Sequence, residues 1–219
     1  MAHSARFFIT CDFDGTITEA DTLDLLVRHF APGVWEEMEH GLVSGDLTLV
    51  QAMREEFRQL RLTEREAVAF VLQHARIREG FWEFRDWVQV GGHELIIVSA
   101  GVRTLIDPIL DAAGLCGLHV HAGDALFTED GSLVSFPPSA AVCIDKCGHC
   151  KRDTIRAHRP YAGPFVYVGD GYSDFCPARD ADIIFARTSL ADHLRAEGVR
   201  HHPFDDFQQV VRTLEEHDR

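Results

Sequence analysis

Two short acidic segments carry the residues best suited to chemistry. Asp12-Phe13-Asp14-Gly15-Thr16 holds two aspartates one residue apart, and Gly169-Asp170-Gly171-Tyr172-Ser173-Asp174 holds Asp170 and Asp174. Each follows a short apolar run, RFFITC at 6–11 and FVYV at 165–168, that reads as a buried strand. A single aspartate after a strand is commonly a turn former or helix cap. Acids that converge from several strand ends would repel one another unless a cation neutralised them. Hard oxygen donors of this kind favour Mg2+, which takes few protein carboxylates and keeps its waters for a substrate phosphate.

The elements that must position these residues can be read from periodicity. ELIIVS at 94–99 and IIFA at 183–186 are further buried strands. A helix is predicted over 102–113, closed by Gly114, and a hairpin over 119–136 with its turn at 129–132. From 21 to 89 the spacing is helical, with Thr63 and Glu66 placed as a capping box. Strand–helix alternation is thus interrupted once, early, by a block of helices. The expected fold class is α/β: a Rossmann-like parallel sheet core flanked by helices, an inserted all-helical cap and a small β-hairpin. Residues 1–16 and 86–219 would form the core and 17–85 the cap, with hinges near 18–21 and 80–86. Ligands bind at the carboxyl ends of strands in such sheets, where the acids fall.

Composition narrows the partners. The 219 residues are 46% hydrophobic and 26% charged, enough to bury a core. The net charge of −14, with no Lys/Arg run, disfavours nucleic acid and anionic membranes. No apolar run is long enough to span a bilayer, and MAHSARFF lacks a secretory pattern, so a cytoplasmic location is expected. Of the six cysteines, Cys143, Cys147 and Cys150 cluster around His149. Three readings stay open: reduced thiols packing a turn, a structural Zn2+ held by three thiolates and an imidazole, or a disulfide. His201-His202-Pro203 reads as a loop feeding the last helix rather than a metal pair, and Arg54 and Arg58, candidates to reach an anionic substrate, read more readily as solvated helix residues.

DFDGTIT at 12–18, Ser99 ending its strand, Lys151 opening a helical segment, and GDGYSD at 169–174 occur in this order at strand ends. The set resembles the haloacid dehalogenase superfamily of phosphatases. Cap position suggests the phosphoserine-phosphatase-like branch. The resemblance implies a Mg2+-dependent phosphomonoesterase acting on a small phosphorylated metabolite. Asp12 would be the nucleophile and Asp14 the general acid–base, with its backbone carbonyl on the metal. Asp170 would bind Mg2+, and Asp174 would bind it or hold its waters. Ser99, the Ala100 N–H and Lys151 would hold the phosphoryl oxygens, Lys151 being preferred over Lys146. IREGF at 77–81, the cysteine-rich stretch at 143–151 and DFCP at 174–177 are similar to two subfamilies. One hydrolyses the methionine-salvage ester 2-hydroxy-3-keto-5-methylthiopentenyl-1-phosphate, the other phosphoethanolamine and phosphocholine. Phosphoserine is less favoured, because Asp21 stands where those enzymes carry a longer Glu for the substrate ammonium. An acidic or aromatic pocket in the cap would favour the amino-alcohol esters. A phosphotransferase or mutase, or a non-catalytic metal-binding relative, are the alternatives of another class.

Overall fold

The computed structural model describes residues 6–138, 147–159 and 163–217. Unbroken apolar runs become its central strands: Phe8–Cys11 (β1), Glu94–Val102 (β2), Phe165–Gly169 (β5) and Ile183–Ala186 (β6). Every residue of β1, β5 and β6 is buried, as expected of parallel strands covered on both faces. With β3 (His119–Leu126), β4 (Leu133–Ser135) and β7 (His202–Pro203), they form a seven-stranded sheet of order β4-β3-β2-β1-β5-β6-β7. β4 pairs antiparallel to β3, forming the hairpin, and the other pairs are parallel.

Alternate side chains of the strands feed two apolar layers. Ile9, Cys11, Ile97 and Val168 face Phe81–Gly91 (α5), Arg103–Ala112 (α6) and Phe207–His217 (α10). Phe8, Ile96, Phe165 and Ile184 face Lys151–His158 (α7), the short Phe175–Ala178 (α8) and Thr188–Ala196 (α9). Four further helices intervene between β1 and α5: Thr22–Phe30 (α1), Pro32–Ser44 (α2), Leu49–Gln59 (α3) and Glu64–His74 (α4). Their starts follow local chemistry. Asp21 caps α1, and capping boxes open α3 (Thr48, Gln51) and α4 (Thr63, Glu66). No described helix is long and apolar enough to cross a membrane.

The chain enters and leaves this insert through two segments zipped together. Thr18 bridges Ile77, Arg78 N–H donates to Ile17 O (2.7 Å), and Glu19 N–H donates to Arg76 O (2.9 Å). The Arg78 side chain is only 7% exposed. Its guanidinium donates to the carbonyls of Gly15 (2.8 Å), Thr16 (2.7 Å) and Thr18 (3.0 Å). It therefore clamps the turn that follows Asp14.

Three details differ from the sequence reading. Residues 80–86, where a hinge is expected, open a helix: α5 starts at Phe81, and Phe81 and Phe84 pack on Phe207 with ring centroids 4.9 and 5.1 Å away. Aromatic burial against α10 joins α5 to the sheet's own layer. The strand read as ending at Ser99 runs on to Val102, re-registering opposite Gly123. His202-Pro203, read as loop, extends the sheet edge beside β6.

Candidate active site

Four of the five sequence-predicted acids, Asp12, Asp14, Asp170 and Asp174, converge at the carboxyl edge of the sheet. Asp12 follows β1 and is nearly buried. The chain then makes a single wide turn over Phe13–Ile17, in which Gly15 takes φ +74°. A Cβ at Gly15 would collide with the Asp170 carboxylate, so glycine permits the close approach of the two loops. Asp170 follows β5, and Asp174 lies on the short helical turn after it. Carboxylate oxygens of Asp12, Asp170 and Asp174 lie within 4.8 Å of one another.

Lys151, the first residue of α7, ties the set together. Its ammonium is fully buried and donates to Asp12 Oδ1 (2.6 Å) and Asp174 Oδ1 (2.6 Å). Burial disfavours that charge, yet Asp12 and Asp174 outweigh it and hold its pKa above the usual value. Asp174 is saturated: Oδ1 also accepts from the Tyr167 hydroxyl (2.6 Å), and Oδ2 from the Asp170 and Gly171 N–H groups (2.9 Å each). Asp170 accepts from the Thr16 hydroxyl (3.0 Å) and Thr188 hydroxyl (3.3 Å). Thr188 does so from a positive φ of 42°, uncommon for a β-branched residue. Burial, then repulsion from Asp174, pushes Asp170 up to about 7. Asp12 is likewise pushed well up, by burial first and Asp174 second. Such mutual repulsion is what a cation bound between them would remove. Hard oxygen donors at this spacing fit Mg2+.

Asp14 points from the same turn toward the insert. Its Oδ1 accepts from the Thr22 N–H (3.0 Å) and hydroxyl (2.6 Å), and its Oδ2 from the Ser99 hydroxyl (3.2 Å). Gly101 N–H donates to Ser99 Oγ (2.8 Å), and a Cβ on Gly101 would strike Asp14. Ser99, Ala100 and Gly101 thus wrap the space between Asp12 and Asp14. Sequence reasoning overlooked the hydroxyls that fix this arrangement, those of Thr16, Thr22, Tyr167 and Thr188.

His149 is a correction. Its buried ring bridges the Ser99 carbonyl (Nδ1, 2.6 Å) and the Thr154 hydroxyl (Nε2, 2.8 Å), so neither nitrogen faces a metal. Burial lowers its pKa to about 4, which keeps the imidazole neutral. With both ring nitrogens engaged, His149 offers none to a structural Zn2+, and among the described residues the metal-capable group is Asp12, Asp170 and Asp174. Cys143 and Lys146 lie outside the described residues. Arg54 and Arg58 are exposed on α3, and Arg58 pairs with Glu55 (2.5 Å).

Asp12, Asp14, Ser99, Ala100 and Asp170 line the floor of a cleft of about 490 Å³ whose far wall belongs to the insert. Asp21, Asp24, Glu39 and Glu56 line that wall among Leu42, Leu49 and Met53. Asp21 Oδ1 accepts from the N–H groups of Leu23 (2.8 Å) and Asp24 (3.0 Å), while its side chain stays open to the cleft solvent. The surrounding protein, and then Asp14 and Asp24, raise its carboxyl above the usual range. A hollow of about 640 Å³ beside His121 and His158 is lined by Asp124 and Asp153 and by none of the acids of this cleft.

Comparison with known proteins follows from this geometry. A family profile described as haloacid dehalogenase-like hydrolase matches residues 9–179. A Brevibacillus brevis protein named 2-hydroxy-3-keto-5-methylthiopentenyl-1-phosphate phosphatase is 31% identical over 215 residues, 97% of each chain. An Exiguobacterium protein of the same name is 32% identical over 204 residues, 92% of this chain and 94% of its own. A solved structure described as a phospho-aspartyl intermediate analogue of phosphoserine phosphatase aligns with a TM-score of 0.70 at 18% identity, covering 96% of this chain and 99% of that one. A phosphoserine phosphohydrolase-like protein from Francisella tularensis gives 0.71 at 18% identity, covering 94% and 98%. At these identities the two structures show a common fold.

Proposed function

Because the chain belongs to the haloacid dehalogenase-like hydrolase family, we propose that its strand-edge acids hydrolyse a small phosphate monoester in two steps. The observation that carries the reading is the buried Lys151 between Asp12 and Asp174, with Asp14 and Ser99 across the cleft floor. An Asp12 carboxylate oxygen attacks phosphorus, and the bond to the alcohol oxygen breaks. Asp14 gives the leaving oxygen its proton. Water then attacks the aspartyl-phosphate, Asp14 takes a proton from it, and phosphate leaves with Asp12 restored. Ser99, the Ala100 N–H and Lys151 hold the phosphoryl oxygens as charge shifts. Thr22 keeps Asp14 aimed at the leaving group.

Asp12 and Asp170 would hold Mg2+, with Asp174 beside them. Asp174 has both oxygens committed to donors, which supports a role in ordering Lys151 and the metal's waters rather than in direct ligation. The part of the Asp14 carbonyl rests on the family resemblance. When bound, Mg2+ screens the repulsion between carboxylate and phosphate dianion.

The helical insert of α1–α4 is proposed as a cap that closes over the cleft and excludes water, and the cytoplasm as the compartment of this metabolic reaction. Two substrate classes meet the same core. Similarity to the named relatives supports the methionine-salvage ester 2-hydroxy-3-keto-5-methylthiopentenyl-1-phosphate. The acids of the cap wall support an amino-alcohol phosphate. Phosphate release from a panel of small monoesters, with Mg2+ and with EDTA, tests the reaction. Turnover that needs Mg2+ and is absent in Asp12→Asn is the expected result. Turnover retained in the variant refutes the assigned nucleophile.

A further inference from the structure

The cap wall is the part of the cleft that phosphoryl transfer leaves unexplained. Asp24 on α1, Glu39 on α2 and Glu56 on α3 come from three separate helices to one place. Glu56 is the telling member. Its side chain is 7% exposed, it lines the cleft, and no hydrogen bond or ion pair meets its carboxylate among the described residues. The acids of the floor are treated otherwise: buried Asp12 and half-buried Asp170 have donors, as does buried Asp174 beside them. A carboxylate this far inside the fold, with no protein donor and its oxygens open only to the cleft, is costly and calls for an explanation. Repulsion compounds the burial, since Asp24 and Glu39 both act on Glu56. Among the described residues Arg187 is the one basic residue lining the cleft, and it sits on the sheet side, next to Thr188 and Asp170.

We infer that this wall is a subsite for a protonated amine on the substrate's leaving group, with Glu56 as its central acceptor and Asp24 and Glu39 beside it. The inference rests on the phosphatase reading above and selects its substrate class: phosphate monoesters of amino alcohols. An incoming ammonium supplies the donors Glu56 lacks and offsets the repulsion among the acids. Carboxylates suit a primary ammonium, which has N–H bonds to give. A quaternary ammonium has none and is held by aromatic faces, whereas Tyr172 is the one aromatic residue lining this cleft among the described residues. The hydroxyl, keto and methylthio groups in the relatives' named ester bring the wall no positive charge.

Matched esters differing in charge test it. Initial rates are measured with Mg2+ on phosphoethanolamine, on propyl phosphate as its uncharged counterpart, on phosphocholine and on p-nitrophenyl phosphate. The expected kcat/KM favours phosphoethanolamine over propyl phosphate by about 10–100-fold, the worth of a charge-assisted hydrogen bond. Phosphocholine falls below phosphoethanolamine. In Glu56→Gln the amine preference drops about tenfold or more, and Glu39→Gln, changed at an exposed position, lowers it less. Because the readout is a ratio within each variant, a partly active preparation still reports it. Turnover of p-nitrophenyl phosphate with no amine preference overturns the subsite and leaves the phosphatase reading standing. An amine preference that survives Glu56→Gln also overturns it. No turnover of any ester overturns both.

Discussion

Replacing Glu56 with Gln should make the metal-free protein more stable at alkaline pH while costing it amine preference. Burial, with repulsion from Asp24 and Glu39, raises Glu56 to about 7 from an ordinary 4.5. The folded chain thus holds this proton over a range where the unfolded chain has lost it. Stability from this group is full below the unfolded value and falls as pH rises through about 7. At 1.36 kcal/mol per pH unit, that gap costs the folded state about 3 kcal/mol at pH 8. The residue is 7% exposed and its carboxylate opens onto the cleft, so solvent screening makes this figure an upper bound. Glutamine keeps the shape and removes the charge, so the cost disappears. For a chain of this length, the difference is about 6–12 °C in Tm. Urea and thermal unfolding in EDTA, at acid and alkaline pH, measure it. Asp12 and Asp170 titrate in both proteins, so the difference between the two pH curves reports Glu56 together with its repulsion on Asp21. Parallel curves for wild type and variant would refute the reasoning, because they would mean Glu56 pays no penalty for its charge.

Two further outcomes test the supports of the site. Tyr167→Phe deletes the hydroxyl that donates to Asp174 at 2.6 Å. It should raise the Mg2+ concentration for half-maximal activity about 10–100-fold, with kcat at saturating Mg2+ nearly kept; an unchanged Mg2+ titration counts against a role for Asp174 near the ion. Arg78→Met strips the donors from three carbonyls of the turn after Asp14. Urea unfolding should show a loss of about 3–5 kcal/mol, since several buried acceptors are orphaned together, and Arg78→Lys should recover only part of it, lacking the planar fork.

Much of this site was legible because its acids punctuate continuous apolar runs. β1 and β5 are recognisable from residue type alone, and Asp12, Asp14, Asp170 and Asp174 all reach one sheet edge as expected. Lys151 is singled out in the sequence because it opens a helical segment before β5, and its ammonium lies between Asp12 and Asp174. The supporting hydroxyls were hidden for a physical reason. Thr16 meets Asp170 across 154 residues, and no local pattern marks a pair so distant in sequence. Tyr167 looked like one more core residue of FVYV, since its ring is core and only its hydroxyl does chemistry. Glu56 sits in an amphipathic helix whose polar face reads as solvated, and only the packing of α1, α2 and α3 buries it. His149 misled because an imidazole between cysteines resembles a metal ligand, whereas its partners, Ser99 and Thr154, come from β2 and α7.

The central claim is that Asp12 forms the covalent intermediate, and acid-quench trapping tests it most directly. The protein is mixed with Mg2+ and a turned-over ester, quenched in acid, digested and analysed by mass spectrometry. The account predicts a phosphoryl group on the peptide bearing Asp12, labile to hydroxylamine and missing from Asp12→Asn. A phosphoryl group on another residue, or steady turnover in Asp12→Asn, would contradict it.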